Sequence, residues 1–176
     1  MYKRQRKNLV RALSAFERVH AEGLTEGWVV VGRPGWLYDD FFARMERSPA
    51  RKAVRLLGYV PDEDLPALYA GAQALLFPSL YEGFGLPVLE AMACGTPVAA
   101  SNASSVPEVG GDGVLYFDPT DPEEMAGVVA RLLRENALRE EMARRGQRQA
   151  ARFSWARAAA ETAAVYAAVL SDPDRR

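Results

Sequence analysis

The chain has 176 residues, of which 49% are hydrophobic and 26% are charged, and its net charge is −1. This composition is typical of a globular domain with its own core, and the near-zero net charge argues against a general nucleic-acid binder, which needs summed positive potential. The single cysteine, Cys94, allows no internal disulfide. Because the sequence contains neither a membrane-length apolar run nor a signal-like segment, we expect a cytoplasmic protein.

The first predicted element is a helix in KNLVRALSAFERVHAEG, with Asn8 as its N-cap and Gly23 as its stop. The apolar run GWVVVGRPG then predicts a buried strand that ends in a loop, and WLYDDFFARMER returns to helical spacing. No strand precedes the first helix, although the later helices of this region each follow one. We therefore expect a preceding strand to be missing from the sheet.

Strands and helices continue to alternate along the chain. The predicted strands are AVRLLGYV, QALLFPS, TPVAAS and GVLYFD, and the helices between them are PDEDLPALYAGA, capped by Asp62, and LPVLEAMACG, with Pro87 at its first position. From residue 121 the pattern is helical to the end, in three segments with caps near Asn136 and Ser154.

Short strands separated by helices of about ten residues require crossover connections. The sequence therefore predicts an α/β fold: a Rossmann-like, doubly wound, mainly parallel sheet with helices on both faces and a helical extension at the C-terminus. Ligands of such sheets bind beyond the carboxyl ends of the strands. We expect the segments GRPG, GYVPDE and PSLYEGFG to meet along that edge.

The turn EGFGLPVLE, residues 82 to 90, indicates a site for an anion. If a helix begins at Pro87, the glycine-rich residues before it offer free amides and the positive end of the helix dipole. A carboxylate beside an anion is repelled, so Glu82 and Glu90 suit hydroxyl groups of a sugar and a ribose better than phosphates. The alternative is that they are a loop acid and a first-turn acid stabilised by the dipole.

The same turn fits a dinucleotide fingerprint poorly, because Val88 stands where the third glycine should be. This disfavours an oxidoreductase. The acidic cluster from Asp62 to Asp64 is better explained by helix capping than by metal binding. His20, the only histidine, falls near the apolar face of the first helix, and we assign it to packing.

The segment PSLYEGFGLPVLEAMACGTPVAASNASSVPEVGGDGVLYFDP, residues 78 to 119, resembles the donor-binding half of a GT-B glycosyltransferase of the retaining family GT4, also called group 1. Two glutamates separated by seven residues occupy this turn and helix in that family, and Glu82 and Glu90 match them. The similarity extends over most of the chain. It implies the C-terminal, donor-binding domain of such an enzyme.

The resemblance implies a role for each matching residue. Glu82 is the catalytic residue beside the donor sugar, and Glu90 binds the ribose. The sugar and diphosphate are held by Arg6, Lys7, Gly83, Phe84, Gly85 and Leu86, and the base lies against Gly58, Tyr59 and Val60. Nothing carries over to Lys3 or Arg4, since MYKRQ does not match the family. No metal and no other cofactor is implied.

The resemblance also implies a function for the chain. A hexose would pass from a nucleotide-diphosphate sugar, of the GDP-mannose or UDP-glucose type, to an acceptor with retention of configuration. Residues 1–153 would form the nucleotide-sugar-binding domain, truncated at its N-terminus. Residues 154–176 would form a helix that crosses to a missing acceptor domain.

Further partners follow from the same resemblance. The acceptor would be a glycan or a lipid-linked glycan, bound by the missing N-terminal domain, and the full enzyme could associate peripherally with a membrane. Without that domain we expect the chain to be inactive in transfer. Two other functions stay open: a non-catalytic nucleotide-sugar-binding module, and a sugar-nucleotide epimerase of GT-B architecture.

Overall fold

The computed structural model describes residues 6–33 and 39–171. The helices are α1 (Leu9–Ala21), α2 (Asp39–Glu46), α3 (Leu65–Gly71), α4 (Leu86–Ala93), α5 (Val106–Gly110), α6 (Pro122–Arg134), α7 (Asn136–Ala150) and α8 (Trp155–Ser171). The strands are β1 (Trp28–Val31), β2 (Val54–Gly58), β3 (Leu75–Phe77), β4 (Val98–Ser101) and β5 (Val114–Phe117). Single 3₁₀ turns at Arg51–Ala53 and Gly111–Gly113 lead into β2 and β5.

The strands form two parallel sheets, β1-β2 and β3-β4-β5. Strand β4 is central and buried along its whole length, so its alternate residues line two cores. Ala99 packs with α1 and α6 on one face, and Val98 and Ala100 pack with α4 and α5 on the other. The predicted parallel α/β architecture with helices on both faces is confirmed.

Helix α1 covers both sheets. Its residues Ala12, Ala15 and Val19 belong to the core of the three-stranded sheet, whereas Leu13 and Phe16 pack with the two-stranded sheet and α2. The helix ends as predicted: Gly23 has a φ of 72°, and its amide donates to the carbonyl of His20. His20 stacks on Phe16 with the ring centroids 5.5 Å apart, which agrees with a packing role.

The prediction for the start of α1 is wrong in its mechanism. Asn8 occupies the cap position, but its backbone is left-handed with a φ of 56° and its side chain makes no cap bond. Instead, the nitrogen of the Asn8 side-chain amide donates to the carbonyl of Pro78, at 3.0 Å, and to that of Pro119, at 2.6 Å. Asn8 therefore ties α1 to the segments that follow β3 and β5.

Other helix boundaries differ locally from the predictions. Asp62 does not cap α3, which begins only at Leu65, after Asp64. The segment SSVPEVGGD between β4 and β5, in which no helix was predicted, contains the short helix α5. Ser154 does cap α8, because its hydroxyl accepts from the amide of Arg157 at 3.1 Å. Part of the predicted second helix, and of the loop GRPG, falls on residues 34–38, outside the described residues.

Helix α7 packs closely on the turn before β5, which gives a stability prediction. A Cβ at Gly113 would lie 2.8 Å from the Cα of Gly146, so the backbone of α7 would have to move. We expect Gly113→Ala to lower the free energy of unfolding by about 1–3 kcal/mol. Gly127→Ala, in α6 where a Cβ meets nothing within 4 Å, should raise it by about 0.5–1 kcal/mol.

Urea denaturation of both variants beside the parent chain measures these changes. The two substitutions add the same methyl group, so the opposite signs isolate the close approach at Gly113. An unchanged midpoint for Gly113→Ala would contradict the packing described for α7.

Candidate functional site

The carboxyl ends of the strands lie beside the glycine turn that precedes α4. Strand β3 ends at Phe77, and the chain continues through Pro78 into the turn at Glu82. The start of α1 lies against this segment: the amide of Leu80 donates to the carbonyl of Arg6 at 2.8 Å. Residues separated by more than seventy positions in the sequence are thus brought to one edge of the sheet.

Lys7 and Glu82 form an ion pair at this edge. The Lys7 Nζ donates to Glu82 Oε1 at 2.7 Å, and Arg6 Nη2 lies 3.8 Å from Glu82 Oε2. The side chain of Glu82 is only 10% exposed. The Lys7 ammonium also lies 5.3 Å from the centroid of the Phe77 ring, over its face. The structure therefore brings the predicted sugar-binding acid together with the predicted diphosphate-binding bases.

Burial favours the neutral form of Glu82, but the hydrogen bond and charge of Lys7, with the charge of Arg6, outweigh it, and the pKa of this carboxyl is lowered from 4.5. A group with a lowered pKa in the folded chain stabilises the fold above its unfolded pKa, and this contribution is lost as the pH falls through the folded value. Glu82 is therefore ionised at neutral pH, and its pairing is lost as the pH falls through this lowered pKa.

This gives a titration prediction. Lys7→Met removes the main hydrogen-bond donor to the carboxylate and leaves the burial, so we expect the Glu82 pKa to rise. Carbon-detected NMR of the side-chain carboxyl groups measures it. Lys52→Met, a change at an exposed lysine in another part of the chain, is the matched control and should leave the titration of Glu82 in place. An equal effect of both variants would contradict the pairing.

The turn between the two glutamates exposes its backbone amides. Helix α4 begins at Leu86, one residue earlier than predicted, with Gly85 as its cap at a φ of 106°, a conformation that L side chains rarely adopt. Within the described part of the chain, the amides of residues 83–86 donate to no other protein group. These amides at the positive end of the helix can receive an anion.

Two serines that the sequence analysis did not assign hold this turn. The Ser104 hydroxyl accepts from the amide of Glu82 and lies 2.9 Å from its carbonyl, and the Ser105 hydroxyl lies 2.9 Å from the carbonyl of Phe84. Ser104 itself has a φ of 53°. Such a contact between the loops after β3 and β4 has no local sequence pattern, and only the loop after β3 was predicted at this edge.

The turn also contacts the C-terminal part of the chain through an aromatic pair. Phe84 meets Phe153 edge to face, with the ring centroids 5.9 Å apart and the planes at 86°. Phe153 lies between α7 and α8. The glycine turn is thus fixed from both sides, by serine hydroxyls and by an aromatic ring.

Glu90 lies on α4 as its fifth residue and is exposed. The Tyr69 hydroxyl, from α3, donates to Glu90 Oε2 at 3.0 Å. Burial, together with the charge and hydrogen bond of Glu90, raises the pKa of Tyr69. Tyr69 therefore stays protonated and fixes one carboxylate oxygen of Glu90, while the other has no hydrogen-bond partner among the described residues and can accept from a diol.

The predicted base-binding residues lie at the end of the two-stranded sheet. Gly58 has a φ of 68°, Tyr59 is exposed and Val60 is half-buried. The guanidinium of Arg33 lies over the Tyr59 ring, 4.9 Å from its centroid. The segment GRPG was predicted at this edge, but Arg33 was not among the predicted binding residues. The pair forms a flat, cationic and aromatic surface that suits a nucleobase.

In residues 6–33 and 39–171, no group of three or more His, Cys, Asp or Glu side chains is arranged to hold a metal ion. None of the helices in these ranges combines the length and the apolar character needed to cross a bilayer.

Parallel strands with helices on both faces and a turn with free amides at the carboxyl edge define a Rossmann-like class of α/β domain. Residues 3–149 match the family model described as "Glycosyl transferases group 1". The chain therefore belongs to the glycosyl transferases group 1 family, and its fold is that of one half of a GT-B glycosyltransferase.

Curated relatives include the "O-antigen chain mannosyltransferase B" of Escherichia coli, which is 42% identical over 162 residues, 92% of this chain and 42% of the relative. The "MMP alpha-(1->4)-mannosyltransferase" of Mycolicibacterium hassiacum is 47% identical over 109 residues, 60% of this chain and 26% of the relative. The chain thus spans less than half the length of these relatives.

Similar solved structures include a sucrose-phosphate synthase from Thermosynechococcus elongatus, with a TM-score of 0.82 and 24% identity over 94% of this chain and 43% of that one. Another is HepE from Anabaena in complex with UDP, with a TM-score of 0.73 and 20% identity over 85% of this chain and 41% of that one. At these identities the likeness concerns the fold alone.

Proposed function

We propose that this chain is the donor-binding half of a retaining glycosyltransferase that uses a nucleotide-diphosphate hexose of the GDP-mannose or UDP-glucose type. The observation that carries the proposal is the ion pair of Lys7 and Glu82 beside the free amides of the glycine turn. Relatives named as mannosyltransferases support a hexose donor, and a similar structure described as a UDP complex supports a nucleotide ligand.

In the reaction, the bond between the anomeric carbon and the diphosphate oxygen breaks, a bond from that carbon to the acceptor hydroxyl oxygen forms, and the proton of that hydroxyl leaves with the diphosphate. Negative charge grows on the diphosphate, and Lys7, Arg6 and the turn amides stabilise it. Positive charge grows on the sugar, and the Glu82 carboxylate lies in position to stabilise it. The Lys7–Glu82 pair orders both charges before the donor arrives, so less reorganisation is needed during transfer.

The remaining donor groups match the other residues of the edge. Glu90, held by Tyr69, accepts hydrogen bonds from the ribose diol. The base lies against residues 58–60, next to the Arg33–Tyr59 pair. An epimerase is less well supported, because such an enzyme would need a histidine at the site. His20, the only histidine, stacks on Phe16 of the same helix and does not lie beside Glu82.

Residues 1–153 form the donor-binding domain in this proposal, and the final helix crosses to an acceptor domain that binds a glycan or a lipid-linked glycan. No side chain of α8 is buried, and Trp155 is 82% exposed. Such an apolar, uncovered helix is consistent with a partner domain. We expect the isolated chain to transfer no sugar, and robust turnover with a defined acceptor would contradict this division.

Isothermal titration of the full chain tests the proposal. GDP-mannose and UDP-glucose are the probes, and NAD⁺ is the control dinucleotide. We expect saturable binding of at least one nucleotide sugar and none of NAD⁺. Equal binding of NAD⁺, or no binding of either sugar nucleotide, would overturn the proposal.

A further inference from the structure

Ser105 stands at the start of a helix, but its side chain does not cap that helix. It occupies the cap position of α5, where a serine hydroxyl commonly accepts from an amide of the first turn. Here the side chain makes no cap bond. Its hydroxyl lies 2.9 Å from the carbonyl of Phe84 and 3.0 Å from that of Glu82, which are 21 and 23 positions away. The hydroxyl thus contacts the glycine turn instead of its own helix.

Ser104 has an unusual backbone conformation beside the same turn. Its φ of 53° lies in the left-handed region, which residues with a Cβ seldom adopt. Such conformations persist only where the surroundings hold them, and they are concentrated at functional sites. The Ser104 hydroxyl accepts from the amide of Glu82 and lies 2.9 Å from the carbonyl of the same residue. The left-handed conformation therefore accompanies a double contact with the residue that begins the turn.

The two serines act on two different peptide groups of the turn. Each hydroxyl has one hydrogen to donate. Both are satisfied when Ser104 donates to the carbonyl of Glu82 and Ser105 donates to the carbonyl of Phe84. Ser104 then holds the peptide group between residues 82 and 83, and Ser105 holds the peptide group between residues 84 and 85.

A peptide group that is held by its carbonyl has a directed amide. Its atoms lie in one plane, and in the trans form the C=O and the N–H point in opposite directions. A hydroxyl that holds the carbonyl of Glu82 therefore turns the amide of Gly83 away from the loop after β4. In the same way, the hydroxyl at the carbonyl of Phe84 turns the amide of Gly85 away from that loop.

The surroundings of these two amides leave room and need for a ligand. A Cβ at Gly83 would meet nothing within 4 Å, so a ligand can come close to its backbone. Little of the surface of Gly85 is exposed, yet its amide donates to no group among the described residues. Buried amides without a partner are rare in folded proteins, because the missing hydrogen bond costs stability. An anion bound at the turn would supply that partner.

We propose that Ser104 and Ser105 are positioning residues for the diphosphate of the donor: each holds one carbonyl of the turn and directs the amide of the next residue toward the phosphate oxygens. This inference rests on the proposed function, because the diphosphate of the donor is the anion that the turn receives there. Amides that are already directed need little reorganisation when negative charge grows on the departing diphosphate. The serines thus assist binding and transfer without contacting the ligand.

Residual dipolar couplings of the ligand-free chain test the direction of the amides. They report the orientation of each N–H bond and are measured by NMR on the isotope-labelled full chain. We expect Ser104→Ala to change the coupling of Gly83, and Ser105→Ala to change that of Gly85. The couplings of residues in the cores should stay as they are in the parent chain.

Two further variants make the result specific to the turn. Ser14→Ala is the matched control, because the Ser14 hydroxyl also lies near a carbonyl, that of Val10 at 3.4 Å, but within α1. It should leave the couplings of the turn unchanged. Ser105→Thr keeps a hydroxyl at its position and should restore the coupling of Gly85.

Titration with inorganic pyrophosphate and with guanosine separates positioning from a general loss of structure. Pyrophosphate represents the part of the donor that these amides would hold, and guanosine lacks that part. We expect both alanine variants to bind pyrophosphate about 10-fold more weakly than the parent chain, and guanosine as well as the parent does. Ser105→Thr should restore the affinity for pyrophosphate.

Several results would overturn the proposal. Unchanged couplings in both alanine variants would show that the serines do not direct the amides. Changed couplings with an unchanged affinity for pyrophosphate would show that the amides hold no phosphate, and so would an equal loss of affinity for guanosine. In these cases the proposed function stands if the parent chain binds GDP-mannose. A parent chain that binds neither GDP-mannose nor UDP-glucose would overturn the proposed function itself, so the two failures are distinguishable.

Discussion

Glu90→Ala should weaken binding of GDP-mannose and of GDP to the same extent, by about 10- to 100-fold. The reason is that a carboxylate bonded to a ribose diol contributes about 1.5–3 kcal/mol, and both ligands contain that ribose. Glu90 is exposed and its removal leaves the cores untouched, so the fold should be unaffected. Isothermal titration with both ligands measures the effect.

Glu82→Gln serves as the contrasting variant. If Glu82 contacts the sugar, its loss should weaken the binding of GDP-mannose. The binding of GDP should not be weakened, because GDP has no sugar at that end and the variant removes a carboxylate that repels its diphosphate. The ratio of the two affinities therefore separates the two glutamates. Glu140→Ala, at an exposed acid of α7, is the matched control and should change neither affinity. Unchanged binding in both Glu82 and Glu90 variants would refute their placement.

Asn8→Ala should lower the free energy of unfolding by about 2–4 kcal/mol. Asn8 is buried, and its loss leaves the carbonyls of Pro78 and Pro119 without their donor. Alanine also fits the left-handed backbone poorly, at a cost of about 1–2 kcal/mol. Arg11 donates to the side-chain oxygen of Asn8, which fixes the orientation of the amide.

Asn8→Gly separates these two causes, since glycine adopts the left-handed conformation freely but makes no side-chain bond. We expect its stability to fall between those of the parent chain and Asn8→Ala in urea denaturation. If the glycine variant were as stable as the parent, the long-range hydrogen bonds would contribute nothing. If the glycine variant had the same free energy of unfolding as Asn8→Ala, the left-handed backbone conformation would contribute nothing.

The sequence predicted the elements whose pattern is local. Short apolar runs gave the strands, and the proline in the first turn of LPVLEAMA and the glycine shortly after it gave α4 to within a residue. Helix α5 was missed because a five-residue helix with proline and glycine carries no periodicity. The division of the strands into two sheets was likewise not predicted from the sequence, because strand pairing depends on contacts between distant segments.

The candidate site was predicted through the same local signals. The glycine turn and its two glutamates stand in one stretch, and resemblance added Arg6 and Lys7. The partners that hold them were not predicted: Tyr69, Ser104 and the left-handed Asn8 act across 21, 22 and 111 positions of sequence. Such contacts arise from the topology of the sheet, which places the ends of separate strands side by side.

The edge-to-face contact of Phe84 with Phe153 has a mechanical consequence. Phe153 is two residues from the start of α8, a helix that has no buried side chain. The side chain that anchors the start of α8 is thus also one that contacts the glycine turn. A displacement of α8 would therefore reach the glycine turn directly, through the contact of Phe153 with Phe84.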